Sequence, residues 1–170
     1  DVNVRKDFQK EVFLIKEKMK KLKINDLKPL VFSSPLKRCK KLALEIFSNF
    51  KIDDRLKELN FGDWEMLKLN EIPRKEIEEW RKNLMYFKIP NGESNKLFYN
   101  RVKDFCDEFA TLKHDLFIIC HAGTINCIIS YLANIPFEKL VNENWKKIHY
   151  GSITILERQK NKFNIKNFSE

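Results

Sequence analysis

The sequence predicts an α/β domain built on a mostly parallel sheet, and three observations carry that expectation. Two short apolar runs, Leu30-Val31-Phe32 and Leu116 to Cys120, stop abruptly at small or polar residues, as buried strands do. The stretches around them repeat apolar residues at the helical spacing of i, i+4 and i+7. Strand and helix therefore alternate along the chain. No repeat, low-complexity tract or linker interrupts them, so residues 1–170 read as a single domain.

Each element has a local reason. Phe8, Val12, Ile15, Met19 and Leu22 form an apolar stripe under a lysine-rich outer face, which predicts an amphipathic helix over residues 7–23. Ser33-Ser34-Pro35 closes the first strand. A serine N-cap with proline at the next position then opens a helix carried on by Leu36, Cys39, Ala43, Ile46 and Phe47. Residues 51–66, KIDDRLKELNFGDWEM, put charges and Gly62 where a long helix would not hold them, and read as a short strand and loop. Ile77, Trp80, Leu84 and Phe87 share one side of a helix predicted over 74–87. Pro90-Asn91-Gly92-Glu93-Ser94 is a turn, with Ser94 capping a helix marked by Phe98, Val102, Phe105, Phe109 and Leu112. A helix over 123–133 follows the second apolar strand. Two β-rich segments, 151–157 and 163–168, close the chain around a polar turn.

Composition narrows the function. With 43% hydrophobic and 34% charged residues the chain reads as an ordinary globular protein, neither disordered nor membrane-embedded. No apolar stretch approaches the roughly 20 residues of a spanning helix and no signal-peptide pattern is present. The expected compartment is the cytosol, with no membrane partner. Cys39, Cys106, Cys120 and Cys127 lie far apart without metal-ligand spacing and read as reduced core thiols, three of them on buried faces. Neither a metal nor a cofactor is expected. The net charge of +9 comes from lysines scattered along the chain with no aromatic-interleaved basic stretch, so nucleic acid is not the expected partner. Solvated helix faces and a small anionic substrate account for it.

The strand ends carry the chemistry. In open α/β sheets, ligands bind where strands finish and helix N-termini present free amides. Ser33-Ser34-Pro35 leads to Arg38 about one turn into its helix, and Cys120-His121-Ala122-Gly123 places an imidazole at a strand tip beside amides clear of side chains. A guanidinium, a histidine and a helix N-terminus converging on one point would suit a phosphate. Taken singly, each has a plainer reading: a hydrogen-bonded structural histidine, a solvated arginine, and, for Glu58, a loop charge.

Four stretches in order and spacing, FSSPLKRCKKLA (32–43), RLKELNFGDWE (55–65), PNGES (90–94) and FIICHAGTI (117–125), resemble the histidine phosphatase, or phosphoglycerate mutase-like, superfamily. The FGDWE and PNGES versions look most like the α-ribazole phosphatase type. The resemblance implies a three-layer α/β/α fold. It implies a phosphomonoester phosphatase acting through a phosphohistidine on a small phosphorylated substrate, for that type α-ribazole-5'-phosphate in cobalamin synthesis. It also assigns roles: Arg38 and His121 hold the phosphoryl group with the Ala122 amide, Glu58 is the general acid, and Trp64 and Glu93 contact substrate. Trp80, Tyr86 and Phe87 flank the site in sequence as further candidates for stacking on an aromatic base.

The pattern also departs from the family. Its nucleophile is a different histidine, in an Arg-His-Gly motif ending a central first strand, whereas His114, His121 and His149 here stand in no such motif. Asp1-Val2-Asn3-Val4 resembles the D-x-P-L stretch that follows it. The expectation is a domain truncated at its N-terminus, with the first strand and nucleophile outside residues 1–170 and this chain alone inactive. The alternative is a non-catalytic phosphate- or partner-binding relative of the same fold. Phe8 and Met66 stand where the family often has glycine. The substrate and the oligomeric state, homodimer or otherwise, stay open.

Overall fold

A computed structural model of the chain describes residues 1–4, 6–144, 147–160 and 162–169. Three parallel strands, β1 (Leu30–Ser33), β2 (Lys51–Ile52) and β3 (Leu116–Ile119), form a sheet in the order β2-β1-β3. Side chains alternate across it, as the two-residue period of a strand requires. Phe32, Leu116 and Ile118 point to one face; Phe117 and Ile119 point to the other. The second face is covered by α1 (Phe8–Lys21), through Ile15 and Met19, and by α2 (Lys37–Ile46), through Cys39 and Ala43. The first is covered by α4 (Asn95–Phe109) and α5 (Ala122–Ala133), and there Phe98, Val102, Phe105 and Cys127 are at most 1% exposed. Helix, sheet and helix thus stack as the expected three layers, with all three strands parallel. The turns between β2 and α4 hold one further helix, α3 (Arg74–Lys82).

The chain ends on α6 (Phe137–Asn144) and an antiparallel hairpin of β4 (Ile155–Gln159) and β5 (Lys162–Asn167), which packs on α5 as a second small sheet. Asn161, in the turn expected there, lies outside the described residues. The edge of β3 away from β1 carries no strand among the described residues, and Leu116 to Ile118 are only half-buried. The four cysteines are free, and Cys39, Cys106 and Cys127 are buried. No described helix is long and apolar enough to cross a membrane.

Several boundaries differ from the sequence reading, for local reasons. The helix predicted over 74–87 stops at Lys82, because the carbonyl of Asn83 takes the amides of Tyr86 and Phe87 (3.2 and 2.9 Å) into a turn. Leu112 lies beyond α4, which ends at Phe109. Ser34-Pro35 does not open α2: Ser34 Oγ accepts from the Leu36 amide (3.3 Å), and the helix begins two residues later than expected, at Lys37. Ser94 does cap α4, accepting from the Leu97 amide at 3.3 Å. Helix α6 was not anticipated; its eight residues, FEKLVNEN, offer too little periodicity to stand out.

Two loops are stitched side by side below the site. Asp63 N donates to Pro90 O and Glu93 N to Asn60 O, both at 2.9 Å. Gly62 has φ +48°, and a Cβ there would lie 2.1 Å from Pro90 O, so only glycine allows this approach. Met66, one of the two positions where the family often has glycine, adopts φ +65° and is 81% exposed, so its side chain gains no packing in return for the left-handed backbone. Met66→Gly should therefore raise stability by roughly 0.5–1 kcal/mol in urea unfolding, against the usual direction of a glycine substitution. A loss of that size would show that Met66 packs in solution.

Candidate active site

The sheet register builds the site. Ser33 pairs with Ile119, and Ser34 N donates to Ile119 O at 2.9 Å, so the residues that follow β1 and β3 emerge together at the carboxyl edge. Ser34 and His121 meet there, with Ser34 Oγ 2.8 Å from His121 Nε2. The sequence reading gave Ser34 only a capping role. Cys39 Sγ lies 3.5 Å from the same nitrogen, enclosing the ring from α2. His121 is 7% exposed and is the N-cap residue of α5. Burial, and after it the charges of Arg38 and Arg101, push its pKa down to about 3. The imidazole is neutral. The same burial pushes the Cys39 thiol up to about 12, so this cysteine encloses without reacting.

Glu58 reaches the site from the other side. The residue is half-buried, but its carboxyl is withdrawn from water: Oε1 accepts from Leu59 N at 3.0 Å and Oε2 from Gly123 N at 3.1 Å. Burial raises its pKa above the usual glutamate value, although those amides and the charges of Arg38 and Arg101 pull the other way. A carboxyl poised to hold a proton results. Gly123 is needed for this approach, since a Cβ there would stand 2.3 Å from Glu58 Oε1. The small residue that leaves the helix amides clear of side chains also makes room for the glutamate. Ala122, one residue earlier, keeps a first-turn amide that a helix leaves without an internal partner.

Arg38 sits in the first turn of α2, half-buried, with no hydrogen bond or ion pair among the described residues. Its charge nevertheless bears on Cys39, Glu58 and His121. A guanidinium without a partner among the described residues, beside a neutral imidazole and a helix N-terminus, offers the donors and positive charge that a tetrahedral anion requires.

The family model of the histidine phosphatase superfamily (branch 1) matches residues 12–170. The chain belongs to that superfamily. Two proteins of Hydrogenobacter thermophilus that carry phosphoserine phosphatase names are 30 and 27% identical over 139 residues, covering 75 and 76% of this chain and 64 and 66% of theirs. The adenosylcobalamin/alpha-ribazole phosphatase of Escherichia coli is 27% identical over 120 residues, covering 65% of this chain and 59% of its own. The chain thus spans 59–66% of the length of these curated relatives. A mycobacterial glucosyl-3-phosphoglycerate phosphatase shares the fold with a TM-score of 0.76, at 20% identity over 99% of this chain and 87% of that one.

The structure brings Arg38, Glu58, His121 and Ala122 to one strand-end cluster and engages Trp64 and Glu93, the two expected substrate contacts, with protein partners. Trp64 is 6% exposed, its indole Nε1 donates to Glu76 Oε2 at 2.9 Å, and its ring stacks on Phe87 and meets Trp80 edge-on. Packing and this hydrogen bond fix its ring. Glu93 spends its carboxylate on Arg101 and on the Asn60 amide. Of the four flanking rings only Tyr86, 68% exposed, is open to solvent. Arg101 escaped the sequence reading because it lies on a helix whose apolar stripe explained itself.

Two outcomes follow from this geometry. Gly123→Ala should cost about 1–3 kcal/mol, by displacing the Glu58 carboxyl from its amides. The same change in a Glu58→Ala background should be nearly neutral, and urea titrations of the four proteins measure that coupling; equal costs in both backgrounds would place the strain elsewhere. His121, with its pKa depressed from 6.5, helps the fold above that pH, and the help is lost as the pH falls toward about 3. The parent chain should lose more stability than His121→Gln across that window, by on the order of a few kcal/mol at its acid end.

Proposed function

We propose that these residues form the phosphate-holding and proton-donating part of a phosphomonoester phosphatase that works through a phosphohistidine. The observation that carries the reading is Arg38, a half-buried guanidinium without a partner among the described residues, whose charge reaches both His121 and Glu58. Phosphoryl transfer asks a protein mainly to position the group and offset its charge. Arg38 supplies fixed positive charge. The neutral His121 ring and the free Ala122 amide supply donors whose placement needs no rearrangement. The Glu58 carboxyl, kept protonated more readily than an exposed glutamate, gives its proton to the leaving oxygen as the P–O bond breaks, so an alkoxide is never released.

The attacking group is a histidine outside this cluster. His114 is exposed at the opening end of β3, the opposite end from His121, and His149 is exposed in the segment before β4. His114 cannot reach a phosphate held by Arg38. The superfamily resemblance implies that the nucleophile is the histidine of an Arg-His-Gly strand beside β3. Support for an α-ribazole-5'-phosphate substrate, and with it a cytoplasmic role in cobalamin synthesis, comes from the FGDWE and PNGES motifs and the Escherichia coli relative. Exposed Tyr86 is the ring available for an aromatic base.

A chelator assay tests the reading. The product of the whole gene and the 170-residue chain are each given an alkyl phosphomonoester, glycerol 2-phosphate, in excess EDTA, and phosphate release is measured. The whole product should turn over and yield an acid-labile phosphoenzyme, and Arg38→Ala or Glu58→Gln should lower kcat/KM at least about 100-fold. The 170-residue chain should form no phosphohistidine. Full activity from that chain would overturn the assignment of the nucleophile. A folded but inert whole product that still binds inorganic phosphate would establish the non-catalytic relative instead.

A further inference from the structure

Arg101 spends three donor contacts on the segment that carries Glu58 and two on Glu93. Nη1 donates to Arg55 O (2.8 Å) and Lys57 O (2.7 Å), Nη2 to Glu58 O (2.9 Å) and Glu93 Oε2 (2.8 Å), and Nε to Glu93 Oε1 (2.9 Å). These are all five N–H groups of a guanidinium. The group lies over the Phe98 ring, 4.7 Å from its centroid, and the Arg101 side chain is 21% exposed. Glu93 completes the clamp. Its Oε2 also accepts from Asn60 N at 2.9 Å, so the chain is gripped just before, at and just after Glu58. Thr124 Oγ1 ties Lys57 O to α5 at 3.2 Å, the helix whose Gly123 amide binds the Glu58 carboxyl.

We propose that Arg101, forked to Glu93, is the positioning residue of the site: it sets where Glu58 stands relative to the phosphate held by Arg38 and His121. This rests on the phosphatase reading above. Residues 57–60 lie outside any helix or strand, and the carbonyls that Arg101 gathers, with the amide that Glu93 holds, fix their course. Lysine carries the charge but has a single ammonium and no planar fork, so it cannot span three carbonyls and a carboxylate. Arg101 has a second, separable effect through its charge. The ionisable and charged groups that bear on Glu58 are Arg38 from α2, Arg101 from α4 and the thiols Cys39, Cys120 and Cys127. Burial lifts all three thiols, which therefore stay neutral. Removing Arg101 removes one of the two positive charges that favour the Glu58 carboxylate, and the glutamate then holds its proton to higher pH.

The test separates fork from charge in the whole gene product. Arg101→Lys should lower kcat for the alkyl ester glycerol 2-phosphate at least 10-fold with KM and inorganic phosphate affinity within 3-fold of the parent, and with the basic limb of the kcat profile in place. Arg101→Gln should lower kcat at least as far and move that limb to higher pH. Glu93→Gln, which keeps both arginine charges, should behave like Arg101→Lys and serves if Arg101→Gln does not fold. Parent-like kcat in Arg101→Lys, or the same limb in Arg101→Gln as in the parent, would overturn the proposal. If the parent itself is inert, the phosphatase reading fails on its own. Carbon-13 titration of the Glu58 carboxyl then decides the inference: an upward shift in Arg101→Gln and none in Arg101→Lys supports it, and identical titrations in all three proteins sink it.

Discussion

Bringing a carboxyl out of water beside a helix N-terminus is the constraint from which the rest of this site follows. An ionised glutamate withdrawn from solvent is costly unless donors replace its hydration. The chain answers with two backbone amides, from Leu59 and Gly123, and with the positive end of α5. That answer dictates a residue without a side chain at 123, where even a Cβ would strike Glu58 Oε1. It also dictates that the loop bearing Glu58 be held as firmly as a strand would hold it. Hence the ladder between residues 60–63 and 90–93, and the arginine that collects carbonyls from 55, 57 and 58.

The two arginines near the site make opposite use of the same group. Arg101 satisfies all five donors inside the protein and is structural in its contacts, whereas Arg38 satisfies none among the described residues. A half-buried guanidinium without partners is tolerable only where water or an anion can reach it. Their shared field explains the protonation states. Burial raises Glu58 and lowers His121, moving each toward its neutral form, and the arginines add to the depression of His121 while restraining the rise of Glu58. The fixed charge at the strand ends is then positive, which suits a phosphate dianion better than a neutral or cationic ligand.

How much of this the sequence disclosed depends on whether a residue acts through local pattern or through distant contact. β1, β3, α1 and α4 were legible because a buried stripe or run repeats at its own period, and the strand-end positions of Arg38 and His121 because Ser33-Ser34-Pro35 closes β1 and small residues follow β3. The end of α3 was not, since Trp80, Leu84 and Phe87 keep a helical spacing past Lys82 where the Asn83 carbonyl has already turned the chain. Arg101 could not be read at all. Its partners lie between 8 and 46 residues away in sequence and are mostly backbone carbonyls, which no side-chain pattern records. Trp64 and Glu93 were visible as unusual residues in the right motifs, but sequence cannot distinguish a group that meets substrate from one that props up its neighbour.

That last ambiguity has a structural counterpart which bears on substrate choice. Trp64 stacks on Phe87 at 5.7 Å and meets Trp80 edge-on at 6.0 Å, and its indole is pinned to Glu76. Residues 64–87 thereby gain an aromatic centre of their own, continuous with the main core through Ile77 and Ile89 but not drawn from the strands. Such a segment can exchange its outward residues, Met66, Leu67, Leu69 and Tyr86, all exposed, without disturbing the strand ends where Arg38, Glu58 and His121 stand. Relatives named for phosphoserine, α-ribazole and glucosyl-3-phosphoglycerate match this chain or its fold. On the phosphatase reading proposed above, this division of labour would let one phosphate cradle serve several leaving groups, the strand ends setting the chemistry and the segment between β2 and α4 what carries the phosphate.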